Sequence, residues 1–116
     1  MNVLMIEPGA LPRQTEIQDN LAAMQQAVGG PIQVIYPFPE PVALICHEEG
    51  KLIGLSLNRA LRDEEDEIYD IIAGPFFLCG APPDSENFTS LTPEQMAHYE
   101  KQFHHIELYL RRSDTR

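Results

Sequence analysis

Basic residues are scarce in this chain: 8 Lys and Arg stand against 18 Asp and Glu, for a formal net charge of −10. A phosphate backbone is held by clustered cations, so this balance argues against direct nucleic-acid binding. It suits association with a basic protein surface of the kind that normally holds DNA or RNA. Cysteine is scarcer still. Cys46 and Cys79 each lie in an apolar run, could pair only from neighbouring strands, and read as reduced core thiols of a cytoplasmic protein. Apolar runs are short, none approaching the roughly 20 residues of a membrane-spanning helix, so a soluble protein without membrane contact is expected. The opening residues Met1 to Gly9 have no basic n-region and turn polar after Ile6, which fits a first strand better than a signal peptide.

Catalytic motifs are missing too. There is no Gly-rich phosphate loop, no Gly-x-Ser-x-Gly and no His-Glu-x-x-His, and Ser56 stands between leucines without a partner base in the sequence. A calcium loop starting at Asp63 would place Ile68 where glycine is required and Gly74 where a bidentate glutamate is required. Cys46, His47, Cys79, His104 and His105 are zinc-ligand types without paired ligand spacing, and His98 reads as an exposed helix residue. The reading is therefore not an enzyme, with no metal and no cofactor.

At 116 residues the chain has the length of one domain. Asn2 to Glu7 suits a short strand that ends at Pro8-Gly9, and Ala10 to Glu16 reads as loop. Ile17, Leu21, Met24 and Val28 recur at helical spacing, and Gly29-Gly30-Pro31 stops that helix. Ile32 to Phe38 alternates as a strand, and Val42 to Cys46 with Leu52 to Gly54 reads as a hairpin around His47 to Lys51. Leu55 to Asp70 is irregular and charged, a functional loop with one helical turn. Asp70 to Cys79 is a strand that bulges or lies on an edge at Gly74-Pro75. Thr92-Pro93-Glu94-Gln95 carries a capping box with proline at the first helical position, opening a helix to about His104 with Met96, Tyr99 and Phe103 on its apolar face. The expectation is a single α+β domain over residues 1–105, a small mixed or antiparallel sheet with two helices in the order β-α-β-β-β-β-α, and a partly ordered tail over 106–116. Arg111 and Arg112 in that tail read as part of a frayed end.

The unusual region is Gly54 to Gly80, where two arginines and an asparagine are threaded between apolar segments beside a run of acids. Met-Ile-Glu-Pro-Gly near the start, Ala-Val-Gly-Gly-Pro-Ile at the helix end, the Glu-Glu-Gly-Lys hairpin, Gly-Leu-Ser-Leu-Asn-Arg-Ala-Leu, and Asp-Ile-Ile-Ala-Gly-Pro-Phe-Phe-Leu-Cys-Gly together resemble the DUF3846 family over nearly all of residues 1–104. The resemblance implies a small protein of phages, plasmids or conjugative elements of Gram-positive bacteria, with counter-defence as its setting; it implies no biochemical activity. Similar family members tend to carry a proline pair where this chain has Ser56-Leu57, which implies a less rigid loop here.

Two readings of the site follow. In the first the protein sequesters an anionic small molecule such as a nucleotide signal. Arg59 and Arg62 hold the anion through planar guanidinium forks, Asn58 reads a base or ribose edge, Tyr69 or Tyr36 stacks, Asp70 borders the site, and Gly54, Gly74 and Gly80 let backbone approach. A homodimer would build such a pocket between protomers, with the Phe76 and Leu78 stripe as its interface; core burial is the simpler fate for that stripe. The simpler alternative for the arginines is pairing with Asp63, Glu65 or Asp70. In the second reading Asp63, Glu64, Glu65, Asp66 and Glu67 bind a basic partner, and the protein blocks a host defence protein's nucleic-acid-binding surface. One five-residue cluster is too local to imitate a length of DNA, and a solvated loop is the simpler alternative for it.

Overall fold

Strict alternation along three strands sets the architecture. The computed structural model describes residues 1–109. The elements are β1 (Asn2–Ile6), β2 (Arg13–Glu16), α1 (Leu21–Val28), β3 (Ile32–Ile35), β4 (Val42–His47), β5 (Leu57–Arg62), β6 (Ile68–Ala73), β7 (Phe76–Gly80) and α2 (Pro93–Gln102). The α+β class and the succession of strand, helix, strands and helix agree with the sequence reading. No helix among the described residues is long and apolar enough to cross a membrane.

Five strands form one antiparallel sheet in the order β2-β1-β7-β4-β3, and β5 pairs with β6 as a separate two-stranded sheet. Successive side chains of a strand point to opposite faces. Val3 and Met5, Ala43 and Ile45, and Phe77 and Cys79 therefore turn to one side, where Met24 and Val28 of α1 cover them. Leu4 and Ile6, Val42, Leu44 and Cys46, and Phe76 and Leu78 turn to the other, where Met96 and Tyr99 of α2 join Leu61 and Ile72 of the β5-β6 sheet. Both faces of the central strands are thus buried, which is why these segments read as nearly unbroken apolar runs. Phe76 and Leu78 are interior residues. Cys46 and Cys79 lie on neighbouring strands but on opposite faces, so no disulfide can join them, and both are free thiols.

Local chemistry sets the element ends. Asn20 caps α1 by accepting from the Ala23 N–H at 2.8 Å, so the helix starts at Leu21 and Ile17 stays outside it. Thr92 and Gln95 form the expected capping box of α2. Other boundaries also differ from the sequence reading, and β3 stops at Ile35, short of Phe38. Arg13–Glu16 is a strand and not loop: its side chains are polar because it is an edge, paired with β1 through Val3 opposite Thr15 and Leu4 opposite Gln14. Leu52 to Gly54 is a turn, since both edges of β4 are already taken by β3 and β7. The segment Asp70 to Cys79 is divided at Gly74-Pro75 between two sheets, with Gly74 at φ +83° and its N–H donating to the Ser56 carbonyl at 2.7 Å.

The charged stretch read as a loop is itself a hairpin. β5 and β6 pair through Ala60 opposite Ile71 and Leu61 opposite Asp70, with irregularities in register near both ends. Ala60, Leu61, Ile72 and Ala73 are buried, so this hairpin is anchored in the core by its middle while its acidic tip projects.

Candidate functional site

Asn58 and Arg59 are interior polar residues and hold the hairpin in place. Asn58 is fully buried; its amide donates to the Ile6 carbonyl at 3.0 Å and to the Gly74 carbonyl at 2.8 Å, tying β5 to the end of β1 and to the break before β7. Arg59 is 1% exposed, and its guanidinium donates to the Phe103 carbonyl at 3.1 Å, the Asn58 Oδ1 at 2.9 Å and the Ala10 carbonyl at 2.7 Å. A buried cation is tolerable only when its donors are met. Burial pulls the Arg59 guanidinium below its ordinary value, and the Glu107 carboxylate opposes that shift. The Phe103 carbonyl closes α2, so the cation also sits at the negative end of a helix dipole.

The next turn of the hairpin carries the acids. Asp63 Oδ1 accepts the N–H groups of Glu65 and Glu67, each at 2.9 Å, and Asp66 takes the left-handed conformation at φ +64°. Asp63 therefore shapes the tip, while the Glu64 and Glu65 carboxylates extend into solvent. Arg62 leaves the strand at the base of the tip, and its guanidinium meets Glu107 at 3.0 Å and Asp66 at 3.7 Å.

Glu107 reaches β5 from the segment after α2. Its Oε2 accepts the Ala60 N–H at 2.9 Å, and its Oε1 accepts from Arg62 at 3.0 Å and from the Tyr109 hydroxyl at 3.1 Å. Burial alone would raise this carboxyl; the three hydrogen bonds outweigh it and hold the group below its ordinary value. The first residues of the expected tail are thus attached to the domain, and 110–116, with Arg111 and Arg112, lie outside the described residues.

These pieces line one groove of about 1350 Å³. One wall is β5 with the acidic tip and Tyr69; the other is Pro37 to Glu40 with His98, Tyr99 and Gln102 of α2. Glu40, Asp63, Glu64, Glu65, Asp66 and Glu107 all contribute to the lining. Glu40 is fixed there by the buried Tyr99, whose hydroxyl donates to it at 3.0 Å, and burial followed by that bond pushes the phenol well above its ordinary range. Phe38 packs on Tyr99 with ring centroids 4.6 Å apart, so the proline-bracketed loop is a firm wall.

The candidate ligand residues are dispersed by the fold. Arg59, Arg62 and Tyr69 line the groove, Arg62 and Tyr69 with side chains partly open to solvent and Arg59 with its donors committed to the fold, whereas Asn58 is interior. Asp70 pairs with Lys51 at 2.6 Å and is not part of the groove lining; Tyr36 is exposed elsewhere. Close approach at Gly74 and Gly80 is to Leu55 and to Thr89, within the chain itself. Of the acidic run, Asp63 to Asp66 line the groove and Glu67 does not. The two arginines are bonded within the chain, but to Phe103, Asn58, Ala10, Glu107 and Asp66 rather than to Asp63, Glu65 or Asp70. Sequence reasoning missed Glu40 and Glu107. The regular prolines around Phe38 were a signal for the first; nothing local marked the second.

No group of three or more His, Cys, Asp or Glu side chains among the described residues is placed to hold a metal ion. Comparison with known proteins gives one family: the model described as Domain of unknown function (DUF3846) matches residues 1–104, and the chain belongs to that family. No curated protein and no solved structure matches it.

Proposed function

We propose that this DUF3846 protein is a non-enzymatic binding module whose acidic groove receives a basic, arginine- or lysine-bearing segment of a partner protein. The observation that carries this reading is the charge of the groove: Glu40, Glu64 and Glu65 stand on its two walls, and the one exposed guanidinium, Arg62, is already neutralised by Glu107 and Asp66. An entering cation meets carboxylates without having to displace a competing cation, and Tyr69 offers a ring face for a guanidinium. A small anion would meet the opposite field, with Arg59 unable to turn toward it. The sequestration of a nucleotide-like anion is for that reason the weaker reading.

The acidic cluster is local, so the partner surface it fits is a short basic segment and not the full footprint of a DNA duplex. In the mobile-element setting that the family resemblance implies, that segment belongs to the nucleic-acid-binding surface of a host defence protein in the cytoplasm, and the protein inhibits by covering it. Calorimetric titration with a hepta-arginine peptide at low ionic strength tests the reading. Saturable binding that weakens with salt is expected, and Glu64→Gln with Glu65→Gln should weaken it about fivefold, equivalent to about 1 kcal/mol. Equal affinity of the double variant and the parent protein would reject it.

A further inference from the structure

Ala60 lies in the middle of β5, yet its N–H is not used by the β5-β6 ladder; it is satisfied by a side chain 47 residues away. That side chain, Glu107, offers one oxygen to the Ala60 N–H and the other to the Arg62 guanidinium. A main-chain donor and a guanidinium set on the two oxygens of one carboxylate form a built receptor for that group. We propose that Ala60 N–H and Arg62 are a carboxylate-binding site which the chain fills with its own Glu107, and that the carboxylate of a ligand can take Glu107's place.

The segment that delivers Glu107 is suited to leaving. Residues 106–109 have no regular secondary structure, and among the described residues none of them enters a main-chain hydrogen bond outside helices and strands. Leu108 is 86% exposed, so the segment gains no apolar anchor there. On its other side a second opening of about 310 Å³ separates it from Pro8, Gly9, Ser56 and Leu57. Among the described residues its polar hold on β5 is the Glu107 carboxylate, buttressed by the Tyr109 hydroxyl of the same segment, which departs with it; Ile106 and Tyr109 are only half-buried. The receptor stays behind: Arg62 belongs to β5, and the Ala60 backbone is anchored by the buried Asn58 and Arg59 beside it.

This site shares Arg62 with the groove; a ligand carboxylate in Glu107's place keeps that guanidinium neutralised, as the basic-segment reading requires. The test uses the full chain with Glu107→Ala, titrated with acetate and, as the neutral isostere, acetamide, while the Ala60 amide and the Arg62 side chain are followed by nuclear magnetic resonance. Acetate should shift both signals saturably, roughly tenfold more tightly than in the parent protein, and acetamide should not. Adding Arg62→Ala should abolish the response. Absence of a saturable Ala60 shift in a folded Glu107→Ala protein overturns the proposal. Hydrogen exchange on the unaltered protein decides the matter even where that variant fails to fold: the Ala60 amide should exchange at least about tenfold faster than that of Leu44 in the central sheet. Exchange of both only at the rate of global unfolding would show that Glu107 does not leave, and would equally overturn it. Failure here leaves hepta-arginine binding untouched, so the two readings fail separately.

Discussion

The Arg59 Nε–H donates to the Phe103 carbonyl at 3.1 Å, joining the middle of β5 to the last turn of α2 across 44 residues of sequence. Both walls of the groove are held in register by this bond, because β5 continues into the acidic tip and α2 supplies His98, Tyr99 and Gln102. Arg59→Ala leaves the carbonyls of Phe103 and Ala10 and the Asn58 Oδ1 without their donor in the interior, and should cost about 3 kcal/mol or more in urea unfolding. Arg59→Lys should recover only part of this, since an ammonium cannot reproduce the planar fork. A loss below about 1 kcal/mol for the alanine variant would mean that the guanidinium does not organise the fold.

Two glycines with similar backbone angles separate strain from contact. Gly54 has φ +79° and open space around an added Cβ, whereas Gly74 has φ +83° and would place that atom 2.6 Å from Leu55 Cδ1. Gly54→Ala should cost about 1 kcal/mol for the left-handed conformation, and Gly74→Ala about 1 kcal/mol more because Leu55 must also move. Equal losses in thermal or urea unfolding would contradict the packing at the β6-β7 break.

Glu107 predicts a pH dependence with a definite sign. Its folded-state carboxyl lies below the ordinary value of 4.5, so its contribution to stability is present above that value and is lost as the pH falls through the lower folded value. Urea midpoints of the parent protein and of Glu107→Gln should differ by a constant amount near neutrality and converge in acid. A gap that widens in acid would show the opposite sign.

Burial raises the Cys46 thiol to about 11 and the Cys79 thiol to about 12. Neither is a thiolate near neutral pH, and both should react with an aromatic disulfide reagent only on unfolding. Rapid labelling of the native protein would place a thiol at the surface.

Much of the fold was legible because its signals are local. The capping box at Thr92, the glycine stop after Val28 and the apolar runs of β1, β4 and β7 all express their own backbone needs. β2 was illegible because an edge strand is kept polar, and β5 because Asn58 and Arg59 look like surface chemistry until their acceptors arrive from Ile6, Gly74, Phe103 and Ala10. The same reason hid half of the groove. Tyr69 and the acidic tip were visible as a cluster, while Glu40 and Glu107 enter it only through tertiary contacts, with Tyr99 and with Ala60.

The most direct test of the account is the location of the basic segment, mapped by amide chemical shifts on titrating the labelled protein with hepta-arginine. The account predicts perturbations concentrated at Glu40, Glu64, Glu65, Tyr69 and His98, on the two facing walls of the groove. Perturbations centred instead on the acids of the Asp84 to Glu86 loop, or spread evenly over every exposed carboxylate, would contradict it.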